Sequence, residues 1–302
     1  MLSLLPQAAA FTASTPRILC AAYLVAMMAA LGLELDPAEE QRTRRRKWAL
    51  ILRSLVFGFV VVPGLALLAA RAAGASGPLA TGLLLLAASP GGRYAPMLAR
   101  WARGDVGLSV EMTLFACKLS SFISPLLAVW MIRAHKITVH DLTYILQLLL
   151  IQMLPYFGAR QLRKRRPGWA RRLLRPLQQV ATAAALILVG YLMAHETLRS
   201  AVMFGVRGVL VVLAFGVVAL GLGWLAGGRE PRVRRSFGLA AESRNLALAL
   251  VIGDLAVGDF QLLMATFGAW LILLLLGVGA AALARASDTP VTALPGMPAS
   301  PA

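Results

Sequence analysis

The sequence predicts an all-α polytopic membrane protein with nine transmembrane helices, and three observations carry that prediction. Of 302 residues, 59% are hydrophobic and 14% charged, and the mean hydropathy is +0.75, well above that of a soluble domain of this length. Nine apolar segments of about span length can be marked out along the chain. The basic residues, which give a formal charge of +17, collect on one side of those nine segments. A soluble globular protein is excluded. At roughly 20 apolar residues per span, no sizeable aqueous domain fits beside them. In a soluble chain this charge would suggest nucleic acid; here it marks cytoplasmic loops, so the lipid bilayer is the expected partner and nucleic acid is not.

The spans fall at residues 17–35, 48–71, 77–102, 105–132, 138–159, 178–197, 204–226, 236–256 and 260–284. One face then holds Arg42, Arg44, Arg45, Arg46, Lys47, Arg100, Arg103, the basic residues from Arg160 to Arg175, Arg229, Arg232, Arg234, Arg235 and Arg285. The other holds only Arg17, Arg71, Arg133, Lys136, Arg199 and Arg207. The positive-inside rule places the N-terminus outside and the C-terminus in the cytoplasm, which requires an odd number of spans. Trp48, Trp101 and Trp224 lie near cytoplasmic ends and Trp130 near an outer end, as interfacial anchors do. The loop QLRKRRPGWARRLLRPLQQ, residues 161–179, is either a plain topology signal or a segment lying on an anionic lipid surface. Residues 286–302, with four prolines among small residues, are expected to be a disordered tail.

Cys20 and Cys117 lie in apolar stretches, where cysteine behaves as a small hydrophobe, so no disulfide framework is indicated. His135, His140 and His195 lack metal-site spacing, and no metal or other cofactor is expected. The first basic residue is Arg17, too late for a secretory signal, and the chain reads as uncleaved.

Two spans are interrupted. In the third, Ser89, Pro90, Gly91 and Gly92 precede Arg93, Tyr94 and a second proline, Pro96. Proline removes a backbone donor and paired glycines give no compensating packing, so the helix breaks. Unwound backbone at that depth must face protein or a cavity. The eighth span carries Glu242, Ser243, Arg244 and Asn245 in succession, which a lipid-facing helix would not tolerate. Either interruption alone could be a packing kink. In comparable places of the two halves, they fit transporters built from inverted repeats with broken helices meeting at the midplane. The fourth span adds Ser109, Glu111, Thr113 and Lys118. Glu111 and Lys118 share a helix face but lie about 10 Å apart along it, too far to pair directly. By depth, Arg93 and Arg244 are the available partners for Glu111, and Glu242 for Lys118. A buried structural ion network is the competing reading of these charges.

Residues 89–113, SPGGRYAPMLARWARGDVGLSVEMT, resemble the hallmark stretch of the bile acid:sodium symporter family, where a Pro-Gly-Gly break precedes a Gly-Asp-Val-x-Leu-Ser helix start. The early segment YLVAMMAALGLELDPAEEQRTRRRKWAL is similar to that family's Gly-x-x-Leu, basic loop and next helix. Residues 237–250 occupy the place of its second broken helix. The resemblance covers about residues 17–285. It implies a divergent, bacterial-type member in the inner membrane, with a ten-helix plan of two five-helix inverted repeats. The first helix of repeat one is missing, which leaves nine. It further implies a panel domain of residues 17–35, 138–159 and 178–197 and a core domain of residues 48–132 and 204–284, whose two broken helices cross. Substrate would lie in the cleft between panel and core.

Carried over position by position, the family's sodium ligands mostly fail. A serine and an asparagine after Pro-Gly-Gly are replaced by Ala95 and Pro96, and a glutamine in the preceding helix by Gly58. In the Glu-x-Gly-x-Gln-Asn motif, Asn245 matches, Arg244 replaces the glutamine and the acid sits at 242 rather than 240. Ser109 and Thr113 remain. The leading expectation is therefore a secondary transporter for an organic anion, without the usual sodium sites, in which Glu111 or Glu242 offers a route for proton coupling. The alternative is a membrane receptor or sensor that binds solute without moving it; against it, nothing resembling a signalling domain lies outside the spans. An intramembrane enzyme would need a nucleophile and base or a metal set, and neither is visible.

Overall fold

The computed structural model describes residues 5–34, 48–72, 77–134, 142–257 and 260–287. The basic loop at 35–47 and all of the expected disordered tail beyond Ser287 lie outside the described residues. Those that are described form helices joined by short connections, with one isolated antiparallel bridge in place of any sheet. In chain order they are α1 (Leu5–Glu34), α2 (Trp48–Arg71), α3 (Pro78–Ala87), α4 (Ala95–Trp101) and α5 (Val106–Ala134). Then come α6 (Leu142–Arg165), α7 (Pro167–Ala226), α8 (Pro231–Glu242), α9 (Leu246–Ala256) and α10 (Phe260–Ala286). Helix α2, the Gly205–Ala226 part of α7 and α10 are each long and apolar enough to cross a membrane. Exposed Trp48, Trp101, Trp130 and Trp224 project from helix ends, as anchors would. The protein is an all-α integral membrane protein.

Three departures from straight helices have local causes. In α2 the residues Phe57–Val61 form a π-turn, in which the amide of Val62 bonds the Phe57 carbonyl. Pro63 follows and has no N–H to continue the i→i−4 ladder, and a π-turn absorbs the mismatch. Helix α5 bends by 66° between Val106–Ser120 and Phe122–Ile132. Pro125 lies inside it, and its ring clashes with the carbonyl four residues earlier, at the bend. Helix α7 has 60 residues, about 90 Å at 1.5 Å per residue, three times a bilayer core. It is two helices, divided at Gly205, whose φ of 56° and ψ of 171° lie in a region open to glycine.

The basic stretch at 161–179 is helical except at Arg166, where the sequence suggests a loop. Pro167 starts the new helix, a position where its missing N–H costs nothing. Ala170, Leu174 and Leu177 then form an apolar stripe that packs on Leu33 of α1 and Ala159 of α6. Arg163 donates to the Leu33 carbonyl, a backbone acceptor at the end of α1. Trp169 and Arg171, Arg172 and Arg175 stay exposed. Helix α1 packs against α6, α7 and α9, and α3 is buried against α10.

Candidate functional site

The two interrupted segments meet. Residues 88–94 separate α3 from α4 and residues 243–245 separate α8 from α9, and Pro90 and Arg244 form an antiparallel bridge between them. The Asn245 amide donates to the Ser89 carbonyl at 2.8 Å, and the Gly92 amide to the Ser243 carbonyl at 3.4 Å. Glycine is needed here for space. A Cβ on Gly92 would come within 2.9 Å of both the amide nitrogen and the carbonyl oxygen of Arg244, and one on Gly91, at φ 97°, within 2.9 Å of the Cys117 sulfur.

Unwinding frees carbonyls that a buried segment must satisfy, and α5 supplies the donors. Ser120 Oγ shares its proton between the Pro90 carbonyl (2.8 Å) and the Ala116 carbonyl of its own helix (2.7 Å), and Cys117 Sγ donates to the Gly91 carbonyl (3.1 Å). The Gly92 carbonyl accepts from the Ala95 amide (3.2 Å). The Gly-Asp-Val start of α5 is structural: Asp105 Oδ1 accepts from the Leu108 amide at 2.9 Å, an N-cap. Asn245 does the same for α9, its Oδ1 accepting from the Leu248 amide at 3.2 Å.

Two cavities flank the crossing. The first, about 180 Å³, lies between the crossing and helices α1 and α7. Tyr23, Ala185 and Leu188 form one wall, and Arg93, Tyr94, Arg244, Asn245 and Trp270 face them. Its polar lining consists largely of donors without acceptors. Arg244 is 1% exposed; its Nη2 donates to the Ala241 carbonyl, while Nε and Nη1 have no hydrogen-bond partner among the described residues. Asn245 Nδ2 and Trp270 Nε1 are likewise unbonded. Tyr94 Oη accepts from the Arg244 amide at 3.2 Å, and its ring meets Trp270 edge-on with centroids 6.0 Å apart.

The second cavity, about 30 Å³, is on the opposite side of the crossing, between it and α2 and α5, and includes Gly58, Pro90, Gly91, Gly92, Ala95 and Thr113 in its lining. Its side-chain oxygens come from Ser54 and Thr113, and Ser54 is engaged with the Ile51 carbonyl. A Cβ at Gly58 would sit 3.3 Å from that of Pro90, so a glutamine there would crowd the break.

The remaining sequence-predicted residues lie elsewhere. Glu242 is buried, and a Cβ on Gly277 of α10 would lie 2.6 Å from its Oε2; neither carboxylate oxygen accepts a hydrogen bond. The pairing with Lys118 that depth suggests is therefore not made. Lys118 Nζ lies instead over the Phe115 ring, 4.6 Å from its centroid. Arg244 likewise does not pair with Glu111, since its bonded nitrogen reaches a carbonyl. Glu111 and Lys118 line neither cavity. Ser109 is fully buried with its hydroxyl unbonded. Tyr23 and Trp270 are cavity residues that sequence reading misses. For Trp270 a signal exists: it sits in the middle of an apolar segment, where interfacial tryptophans do not.

Comparison with protein families finds a match to the sodium bile acid symporter family over residues 21–204, more than half of the chain. The protein belongs to this family. Members of the sodium bile acid symporter family are transporters rather than enzymes, which makes a small molecule the expected cargo and the membrane the working environment. The match takes in the Pro-Gly-Gly break and ends one residue before the Gly205 kink, so the second interruption lies beyond it. Comparison with curated proteins gives no match.

Proposed function

We propose that this protein is a secondary transporter that moves a compact organic anion by alternating access and does not use its family's sodium sites. The observation that carries the reading is the donor-rich lining of the 180 Å³ cavity, where Arg244, Asn245 and Trp270 present N–H groups with no hydrogen-bond partner among the described residues and Arg93 adds a second cation. Orphaned buried donors cost free energy, and a carboxylate or sulfonate satisfies several at once with charge-assisted bonds. The volume is below the roughly 300–1,000 Å³ of drug-sized pockets, which favours a small anion. Tyr23, Ala185 and Leu188 belong to the expected panel (17–35, 138–159, 178–197), and Arg93, Arg244 and Trp270 to the expected core (48–132, 204–284). Substrate would then sit between two bodies whose relative movement opens it to either side. Nine spans, two inverted repeats, an external N-terminus and a cytoplasmic C-terminus complete this arrangement.

A sodium ion needs several oxygens in place of its hydration shell. The 30 Å³ cavity behind the crossing offers two side-chain hydroxyls, and the unwound carbonyls of Ser89, Pro90, Gly91 and Gly92 each accept one hydrogen bond, which leaves each at most one lone pair for an ion. The fixed charge of Arg244 takes the ion's electrostatic role by holding the anion directly. Glu242, whose oxygens accept no hydrogen bond among the described residues, is the candidate carrier of a coupling proton, since a buried carboxylate without hydrogen bonds is costly.

The test is a thermal-shift screen of detergent-purified protein against small organic anions, in sodium and in choline buffers, followed by uptake of any stabilising anion into proteoliposomes. Stabilisation equal in both buffers, together with uptake, is expected. Stabilisation without uptake would identify a receptor, and a saturable sodium requirement would refute the ion-free site.

A further inference from the structure

A third cavity lies away from the crossing. About 530 Å³ in volume, it opens between the C-terminal end of α7, the first turns of α8 and the C-terminal end of α10. Its walls are apolar, from Leu220, Leu239 and Leu283, and one rim is cationic, from Arg234 and Arg235. Arg234 lies on the face of Trp224, 3.3 Å from the ring centroid, and its Nε donates to the Trp224 carbonyl at 3.4 Å. That stacking fixes the guanidinium plane while both terminal nitrogens hold no hydrogen bond among the described residues. Arg235 is held at the same rim by donating from Nη1 to the Ala102 carbonyl at 3.2 Å.

We propose that this groove binds an anionic phospholipid, with an acyl chain along the apolar walls and the phosphate on Arg234 and Arg235. The complementarity requires an amphiphile. A free phosphate would leave the apolar volume unmatched, and a neutral hydrocarbon would leave the terminal nitrogens of Arg234 facing it. The place suits a lipid: Trp224 and the run Arg229, Arg232, Arg234 and Arg235 have the aromatic and basic character of a membrane interface. The site also touches the transport machinery. Leu220, Leu239 and Ala284 of the groove pack in one small cluster with Leu98 and Tyr94, so a lipid seated here bears on α4, the helix that leaves the first break. The proposal stands independently of the substrate reading above.

Native mass spectrometry of the full-length protein, titrated with phosphatidylglycerol and with phosphatidylcholine of identical chains, tests it. Basic residues near anionic headgroups contribute about 1 kcal/mol each, roughly fivefold in affinity. Phosphatidylglycerol should therefore bind about 5- to 25-fold more tightly, and Arg234→Gln or Arg235→Gln should each remove about fivefold of that preference. Ala284→Trp, which fills the groove without changing charge, should weaken the first adduct of both lipids; Leu283→Asn, at a residue 75% exposed, serves the same end if the indole disturbs folding. Glycerol phosphate should not compete. Equal binding of the two lipids, a preference unchanged in both arginine variants, binding indifferent to the groove variants, or displacement by glycerol phosphate would each overturn the proposal.

Discussion

Neutralising Arg244 distinguishes an anion site from a structural ion network most directly. In Arg244→Gln the guanidinium, whose Nη2 donates to the Ala241 carbonyl, is replaced by a shorter neutral amide. What disappears is the pair of donors, Nε and Nη1, that have no hydrogen-bond partner among the described residues. A hydrogen bond from a charged group is worth about 1.5–3 kcal/mol; one such bond to an anionic ligand corresponds to roughly 10- to 150-fold in affinity, and two to more. Stability should change little. Neither oxygen of Glu242 accepts a bond, so the substitution breaks no hydrogen-bonded pair and removes an under-satisfied buried cation. A shift within about 1 kcal/mol, or about 2–4 °C in Tm for a chain of this size, is expected. The assay measures Tm without ligand and the dissociation constant of a stabilising anion, side by side. In the competing arrangement Arg244 and Glu242 form a buried pair, and removing one partner costs about 3–5 kcal/mol. A fall in Tm of about 10 °C or more, restored in the double variant Arg244→Gln/Glu242→Gln, would refute the reasoning.

The remaining predictions follow from the crossing, the ion site and the charge pattern. Gly92→Ala should prevent accumulation of folded protein, because the added methyl meets Arg244 backbone at 2.9 Å. Gly279→Ala, with nothing within 4 Å, should be neutral or raise stability by up to about 1 kcal/mol; similar melting behaviour of the two would discredit the packed crossing. Thr113→Ala should leave anion binding unchanged in sodium and in choline at equal ionic strength; a saturable sodium effect lost in that variant would reveal a rebuilt ion site. Reporter fusions should place the N-terminus outside and the C-terminus in the cytoplasm, and finding both on one side would reject nine spans.

Both helix breaks were legible because each violates a one-dimensional rule. Pro90 with Gly91 and Gly92 cannot sustain a helix in any environment, and Glu242 to Asn245 cannot face lipid. The aromatic ends of spans were legible for the same reason, since depth alone decides where tryptophan is comfortable. The turn of α7 was not. Its basic stretch reads as a loop until the stripe Ala170, Leu174 and Leu177 is seen to match Leu33 and Ala159, and that stripe has a meaning only once α1 and α6 stand beside it. Nor was the bend in α5. Pro125 announces some distortion, but a proline in the sequence does not specify a bend of 66°.

The mid-membrane charges show most clearly what depth leaves out. Hydropathy fixes position along the membrane normal, so Lys118 and Glu242 look like neighbours, and so do Glu111 and Arg244. Pairing, however, depends on rotation about each helix axis and on which helices adjoin. Where the chain unwinds, the 3.6-residue period that would carry rotation is lost. Glu242, the last residue of α8, keeps the helical phase and turns toward Gly277. Arg244, two residues later, is in a bridged extended segment and turns toward Tyr94, Asn245 and Trp270. The same break that marks the site in the sequence therefore leaves acid and base close enough to feel each other's charge but without a hydrogen bond between them, and Nε and Nη1 of the guanidinium hold no hydrogen bond among the described residues.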